Sequence, residues 1–234
     1  MGNRLRYLRE MRIVIAGAHG RIARELGRLL VAAGHDVAGL IRNPDQAADL
    51  EADQVAPVVI DLENSTSDDV IQVLTGAEAA VFAAGAGRGG QERYDTVDRG
   101  AAVLLADGAE QAGVQRFVQI SAMGLDMIRG GVRPDGLNEV RYAYLVAKLA
   151  AEEDLMSRSS LDWTILRPGR LTDEPAVGLV ELGRGLELGT IPRHDVAAVL
   201  AELLRTGRGS GQVLDVVSGT LDIPDAVAAL PFSL

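Results

Sequence analysis

The sequence contains no cysteine. It therefore forms no disulfide framework and offers neither a thiolate nucleophile nor a thiolate metal site. It has no apolar run of about 18 residues, so we expect no membrane-spanning helix. Acidic residues outnumber basic ones, 33 Asp and Glu against 23 Lys and Arg, which argues against a basic surface for nucleic acid. We expect a cytoplasmic protein whose partners are neither nucleic acids nor membranes.

The histidines also lack a pattern. His19, His35 and His194 lie on separate segments without metal-ligand spacing, so the sequence predicts no metal site. Of the 234 residues, 47% are hydrophobic, which is enough for one large α/β domain. We expect a single domain over residues 11–234. Residues 1–10 are predicted to be a flexible extension, with a short surface helix as the alternative.

Seven short apolar runs alternate with helical patterns along the chain. Their continuous Val, Ile and Leu content is typical of strands buried on both faces. The predicted strands are RIVIAG, DVAGLI, APVVID, AAVFAAG, QRFVQIS, DWTILRPG and QVLDVVS. The alternating order predicts a doubly wound parallel sheet of about seven strands with right-handed crossovers.

Several residue types mark where the predicted helices begin and end. Glycines stand at the position after the last helical turn in three places: Gly34, Gly76 and Gly113. Ser67 is predicted to cap the helix that continues with Asp68 and Asp69, whose charges suit its N-terminus. The glycine-rich stretch 124–138 and the stretch 168–189 are predicted to be loops.

The segment GAHGRIA, residues 17–23, follows the first strand and opens a helix, as a dinucleotide-binding loop requires. Gly17 permits a tight turn, Gly20 lets the backbone approach a diphosphate, and Ala23 allows close packing of helix on strand. The helix N-terminus offers free N–H groups to phosphate. The predicted contacts of the loop are Gly17, His19, Gly20, Arg21 and Ile22. The alternative is an ordinary turn of small residues.

The end of the second strand indicates which dinucleotide is bound. An NAD-binding chain usually carries a carboxylate there for the ribose 2′-hydroxyl. Here the strand is followed by Arg42, whose guanidinium suits a 2′-phosphate, whereas Asp36 precedes the strand. The sequence therefore predicts NADP in preference to NAD. The alternative for Arg42 is a solvated charge at a strand end.

Two further strand ends are predicted to line the cofactor cleft, because ligands bind beyond the carboxyl ends of such strands. Asp61 and Leu62 follow the third strand and suit the adenine amino group and edge. Small residues follow the fourth strand and leave room for a nucleotide: Ala83, Ala84 and Gly85. The alternatives are a turn at Asp61 and close packing at the small residues.

A candidate catalytic set follows the fifth strand. Ser121 ends that strand, and Tyr144 and Lys148 are four residues apart, so they share a helix face. A phenol is a weak acid, and a nearby ammonium stabilises the phenolate. A serine hydroxyl can hold a carbonyl oxygen during hydride transfer. The alternative for Tyr144 and Lys148 is a solvated helix face. Tyr142 does not fit, because Val146 lies four residues after it.

These segments, together with LDWTILRPGRLTDEP, resemble the short-chain dehydrogenase/reductase superfamily. The resemblance runs from Met11 to about Gly219 and is greatest to the atypical compact branch of NAD(P)-binding, epimerase-like or NmrA-like proteins. It implies a Rossmann fold of strand order 3-2-1-4-5-6-7, NADP binding and only a small C-terminal extension on the substrate side. It implies catalytic roles for Ser121, Tyr144 and Lys148, with Asp98 in place of a fourth residue, Asn. It also implies that Pro168 and Gly169 flank the nicotinamide.

The resemblance leaves three functions open. The first is an NADP-dependent oxidoreductase acting on a small carbonyl or alcohol, and the second is an epimerase or dehydratase. The third is an NmrA-like module that senses the redox state of NADP without turnover, through a regulatory protein partner. A homodimer is a further possibility. Asp195 is interpreted as a helix cap, and His194 as a loop residue near the cleft mouth.

Overall fold

The computed structural model describes residues 10–87 and 91–231. Residues 1–9 of the predicted extension, residues 1–10, lie outside these ranges. The strands are β1 Arg12–Ala16, β2 Asp36–Ile41, β3 Ala56–Val59, β4 Ala79–Phe82, β5 Arg116–Ile120, β6 Asp162–Pro168, β7 Arg170–Thr172, β8 Leu179–Gly183, β9 Thr190–Pro192, β10 Gln212–Ser218 and β11 Leu221–Asp222. The helices are α1 Arg21–Ala32, α2 Ala47–Ala52, α3 Ser67–Leu74, α4 Ala102–Ala112, α5 Glu139–Met156, α6 Arg193–Thr206 and α7 Ile223–Ala228.

Nine of the strands form one sheet, in the order β3-β2-β1-β4-β5-β6-β10-β8-β11. The seven predicted strands are β1 to β6 and β10. All seven are parallel, so both the predicted fold and its strand order are confirmed. Because β1 pairs with β2 on one side and β4 on the other, the order reverses at β1. Such a reversal opens a crevice at the carboxyl ends of the strands.

The helices cover both faces of the sheet. Alternate side chains of β1 show why, since Ile13 and Ile15 enter one core cluster while Val14 and Ala16 enter the other. Helices α1 and α6 pack together on the first face, and α3 and α4 pack on the second. The continuous apolar strands are thus explained by burial on two sides.

The stretch 168–189 is more ordered than predicted. It contains β7 and β8, and β7 pairs in parallel with β9 outside the main sheet. Strand β8 runs antiparallel to β10 and to β11. Its central residues alternate between the buried Val180 and the exposed Glu181, so this strand, which lies next to the edge strand β11, lacks the apolar run that marks the central strands.

The predicted loop 124–138 begins with an anchored turn. A 3₁₀ turn spans Leu125–Ile128, and both of its end residues are buried. Leu125 and Ile128 pack against Leu145 and Leu149 of α5. The start of this stretch is therefore attached to the helix that carries the predicted catalytic residues.

Helix ends follow the predicted glycines but differ at α3. The three glycines adopt left-handed backbone conformations, with φ between 75° and 87°: Gly34, Gly76 and Gly113. The prediction of Ser67 as a cap is wrong, because Thr66 caps α3. The Thr66 hydroxyl accepts from the Asp69 N–H at 3.3 Å, and the Asp69 carboxylate accepts from the Thr66 N–H at 2.9 Å. This reciprocal pair needs a three-residue spacing.

Asp195 has a different structural role from the one predicted. The cap position of α6 is Pro192, and Asp195 lies inside the helix. Its buried carboxylate accepts from the N–H groups of Val177 and Gly178, both at 3.0 Å. Asp195 thus attaches the segment before β8 to α6.

None of the helices in residues 10–87 and 91–231 has the length and apolar content needed to cross a membrane.

Replacement of Gly39 by alanine is expected to destabilise the fold. A Cβ atom there would lie 2.6 Å from both the Ala18 Cβ and the Leu50 Cδ2. Such overpacking costs about 1–3 kcal/mol. Urea denaturation should show this loss for Gly39→Ala. Gly183→Ala is the control, because the nearest atom to its Cβ is 3.9 Å away. Equal stability of the two variants would show that β2 has room at this position.

Candidate functional site

The loop between β1 and α1 is fixed by its backbone. Gly17 has φ +75°, and a Cβ atom there would lie 2.6 Å from the Ala84 Cα. Gly20 caps α1 without a side-chain hydrogen bond, and the first turn of the helix has no acidic residue. The first N–H groups of α1 therefore face the cleft without a capping side chain, as a phosphate site requires.

Two cavities meet at this loop. One, of about 360 Å³, lies over the ends of β2 and β3, and the other, of about 730 Å³, lies towards β5 and α5. Gly20, Ala84 and Gly85 line both. Together they follow the carboxyl edge of the sheet across its reversal point. We name them the adenosine-side and the nicotinamide-side cavity, after the parts of the dinucleotide that the sequence predicts at each.

The adenosine-side cavity gathers most of the predicted cofactor residues. It is lined by Gly17, His19, Gly20, Arg42, Asp61, Leu62, Ala84 and Gly85, among others. The His19 Nε2 lies 2.7 Å from the Asp49 Oδ2, and this hydrogen bond lowers the pKa of Asp49. Asp61 also organises its own turn, because its carboxylate accepts from the Glu63 N–H at 3.1 Å. The interpretation of Asp61 as a turn residue is thus confirmed, and its contact with adenine stays a prediction.

Arg42 shares a carboxylate with a second arginine. The Glu63 Oε2 accepts from Arg42 at 2.8 Å and from the Nη2 of Arg93 at 2.7 Å. Thr96 donates to the Oε1 of the same carboxylate at 2.7 Å. The hydrogen bond from Arg93 is the main cause of a lowered pKa at Glu63. The Arg42 side chain is 54% exposed, so it is the more exposed of the two arginines that pair with Glu63.

The nicotinamide-side cavity contains the predicted catalytic residues. Ser121, Tyr144, Lys148 and Asp98 all line it. The Lys148 Nζ lies 3.0 Å from the Asp98 Oδ1, and both side chains are buried. The Asp98 Oδ2 accepts from the Ala86 N–H at 3.0 Å, and Lys148 donates to the Ile120 carbonyl at 3.4 Å. The buried pair joins the turn after β4 to α5.

Ser121 and Tyr144 are two of the polar residues that line this cavity. The Ser121 Oγ is buried and has no hydrogen-bond partner among the described residues. The Tyr144 ring meets the Tyr94 ring edge-on, with centroids 5.6 Å apart. The Arg141 guanidinium carbon lies 4.9 Å from the Tyr144 centroid. A buried hydroxyl without a partner normally marks a place for a water or ligand.

The remaining predicted residues divide between the cavity and the core. Arg21, Ile22, Ala83 and Pro168 line the nicotinamide-side cavity. Gly169 lines neither cavity, because it packs against Gly189, whose carbonyl oxygen would lie 2.5 Å from a Cβ atom. The predicted place of Gly169 beside the nicotinamide stays a prediction.

An exposed carboxylate bridges two arginines of this cavity. The Asp173 carboxylate accepts two hydrogen bonds from Arg21, at 2.7 and 2.8 Å, and one from Arg193, at 2.6 Å. His194 lies outside the cavity, with its Nδ1 3.3 Å from the Glu25 carboxylate. Within the described part of the chain no three His, Cys, Asp or Glu side chains are grouped as metal ligands.

Several cavity residues escaped the sequence analysis. They are Glu63, Arg93, Tyr94, Asn138, Arg141 and Arg193. Arg141 could have been predicted from the sequence, because it lies three residues before Tyr144 on the same face of α5. Tyr94 lies in a π-helical turn, Tyr94–Ala101, which no apolar period marks. Tyr142 points elsewhere and donates to the Gly131 carbonyl at 3.1 Å.

Residues 17–206 match a family of domains described as NAD(P)H-binding. This chain belongs to that family. A Bacillus subtilis (strain 168) protein named as an uncharacterized sugar epimerase is 31% identical over 224 residues, which cover 94% of this chain and 100% of that relative. The family confirms the predicted resemblance to compact, epimerase-like dehydrogenases, and it agrees with the uncapped α1 and the glycine loop.

Two solved structures are similar to this chain over almost its whole length. A Bacillus halodurans protein, named provisionally as an NAD-dependent epimerase/dehydratase, is 34% identical with a TM-score of 0.83 and covers 94% of this chain and 100% of its own. A protein from Lactococcus lactis named an oxidoreductase is 27% identical with a TM-score of 0.82. The match covers 94% of this chain and 96% of that protein. The Rossmann fold is thus shared by both.

Asp98→Asn is expected to destabilise the protein strongly, because it leaves the buried Lys148 ammonium without its counter-charge. Breaking a buried pair from one side costs about 3–5 kcal/mol. Urea denaturation measures the loss. Asp95→Asn is the matched control on the same segment, because its pair with Arg99 is exposed and should contribute no more than about 1 kcal/mol. Similar losses in both variants would contradict a structural role for the buried pair.

Proposed function

We propose that the protein is an NADP-dependent oxidoreductase that interconverts a small carbonyl compound and its alcohol through Ser121, Tyr144 and Lys148. The observation that carries this proposal is the unpartnered Ser121 hydroxyl, which shares a cavity with Tyr144 and Lys148 beside the dinucleotide loop. The relative from Lactococcus lactis, named an oxidoreductase, supports the same class.

Bound NADPH supplies a hydride for the carbonyl carbon, or NADP⁺ accepts one from the alcohol. Ser121 is proposed to donate a hydrogen bond to the carbonyl oxygen and to orient it. Tyr144 is proposed to transfer a proton to that oxygen in the reductive direction and to remove it in the other. The products of reduction are then the alcohol and the tyrosinate, which regains its proton from solvent.

Lys148 is proposed to stabilise the tyrosinate by its charge and to bind the nicotinamide ribose. Asp98 holds the Lys148 ammonium at 3.0 Å. A lysine fixed in this way loses less side-chain entropy when a ligand binds than a free lysine does. Asp98 is thus proposed as a positioning residue that acts through Lys148.

Tyr144→Phe is expected to lower kcat by at least about a hundredfold, since it removes the proton donor, while NADPH still binds. Consumption of NADPH with a panel of aldehydes and ketones measures turnover, and calorimetry measures cofactor binding. Tyr142→Phe is the matched control two residues earlier, because its hydroxyl bonds the Gly131 carbonyl. Undiminished turnover in Tyr144→Phe would remove the assigned role.

The preference for NADP is proposed from Arg42. Its guanidinium lines the adenosine-side cavity beyond β2 and is more than half exposed. Glu63 does not require it, because Arg93 and Thr96 also donate to that carboxylate. Arg42 is therefore available to a 2′-phosphate, which a guanidinium binds with two parallel hydrogen bonds.

Arg42→Ala should weaken NADP⁺ binding by about tenfold or more, the loss expected for a charge-assisted contact. NAD⁺ binding should change by less than about twofold, because NAD⁺ has no 2′-phosphate. Calorimetry with both dinucleotides tests this. Arg12→Ala is the control, since Arg12 pairs with Asp36 at the opposite end of the strands. Equal affinities of the wild type for NADP⁺ and NAD⁺ would defeat the proposed preference.

An epimerase or dehydratase is the second candidate, favoured by the names of the Bacillus subtilis and Bacillus halodurans relatives. Such enzymes would use the same tyrosine and lysine. Product analysis separates the two, because an epimerase leaves the total NADPH unchanged. A redox-sensing module would bind NADP⁺ and NADPH with different affinities and turn over neither.

A further inference from the structure

The cations of the nicotinamide-side cavity differ in how they are neutralised. The four are Arg21, Arg141, Lys148 and Arg193. Asp173 pairs with Arg21 and Arg193, and Asp98 pairs with Lys148. Arg141 alone among these four has no carboxylate partner in the described ranges 10–87 and 91–231, and its guanidinium lies over the Tyr144 ring.

Arg141 is nevertheless placed by its surroundings. It lies in the first turn of α5, and its N–H donates to the Asn138 side chain at 2.7 Å. Its guanidinium carbon lies 4.9 Å from the centre of the Tyr144 ring. Asn138, Arg141 and Tyr144 all line the cavity. The positive charge therefore lies on the cavity wall, against the residue proposed to transfer the proton.

The charge of this cavity is opposite to that of the whole chain. The chain has a formal net charge of −10, yet the described residues that line the cavity include four cationic side chains and one carboxylate, Asp98. Part of this charge serves the cofactor diphosphate, because Arg21 begins α1 beside the glycine loop. Arg141 is on a different element, in the cavity that continues past that loop, and so remains available to a second anion.

We propose that the substrate carries a carboxylate or phosphate group and that Arg141 binds it. A guanidinium is suited to both groups, since it donates two parallel hydrogen bonds to either. The buried Ser121 hydroxyl without a partner marks the place of the reacting oxygen in the same cavity. This inference rests on the proposed function, and it defines the substrate as an anionic carbonyl compound or its alcohol.

The test measures binding apart from turnover. Protein loaded with NADP⁺, which cannot reduce a carbonyl, is titrated by calorimetry with two matched pairs of probes. One pair is benzoylformate and its methyl ester, and the other is dihydroxyacetone phosphate and dihydroxyacetone. The variants are Arg141→Gln and Arg141→Lys. Arg184→Gln is the control, because Arg184 also lacks a carboxylate partner among the described residues but lines a different cavity, beside Trp163.

The wild type is expected to bind the anionic member of at least one pair about tenfold or more tightly than the neutral member. Arg141→Gln should lose this preference, Arg141→Lys should retain part of it, and Arg184→Gln should retain all of it. Preference in the first pair alone would assign a carboxylate, and preference in the second alone a phosphate. Unchanged urea midpoints exclude misfolding as the cause.

The proposal is overturned if neither pair shows a preference, or if the preference survives in Arg141→Gln. Its failure is distinct from that of the proposed function. Equal consumption of NADPH with acids and neutral carbonyls would support the oxidoreductase and overturn the anion site. Binding of the acids through Arg141, with no NADPH consumed in any assay, would support the anion site and remove the oxidoreductase.

Discussion

The close approach of the glycine loop to the neighbouring strand ends determines the position of the whole cleft. Gly17 contacts the Ala84 backbone so closely that a Cβ atom would lie 2.6 Å from its Cα. On the other side, the N–H groups of Gly17 and Ala18 donate to the Leu40 carbonyl at 3.2 and 3.1 Å. The loop thus lies across three strand ends. This close packing requires small residues at positions 17, 39 and 84.

The buried pair of Lys148 and Asp98 then sets the orientation of α5 over the cleft. Residues 141, 144 and 148 are three and four apart, so they share one helix face. Once Lys148 is directed at Asp98 and the Ile120 carbonyl, Tyr144 and Arg141 must project along the same cavity wall. One interaction therefore positions a proposed proton donor and a proposed anion-binding residue together.

The elements predicted correctly from the sequence are those that a short stretch of the chain determines. The central strands are recognisable in the sequence as apolar runs because both their faces are buried. The glycine loop is recognisable because its backbone tolerates few side chains. Strand β8 escaped prediction because its residues alternate in burial and form no continuous apolar run. The hydrogen bond that Arg42 donates to Glu63 escaped prediction because it joins residues that follow two different strands. Asp195 shows the same limit, since its partners at 177 and 178 come from a distant loop.

The carboxylates near the cleft differ in how readily they release their arginines. Asp173 is 67% exposed, and an ion pair in that environment contributes about 1 kcal/mol or less, so an incoming phosphate exchanges with it at little cost. Glu63 is more buried and accepts from three side chains. If Arg42 turned towards a 2′-phosphate, Arg93 and Thr96 would still satisfy Glu63. An acidic protein can thus hold most of its cleft cations in carboxylate pairs and still provide positive charge where anions bind.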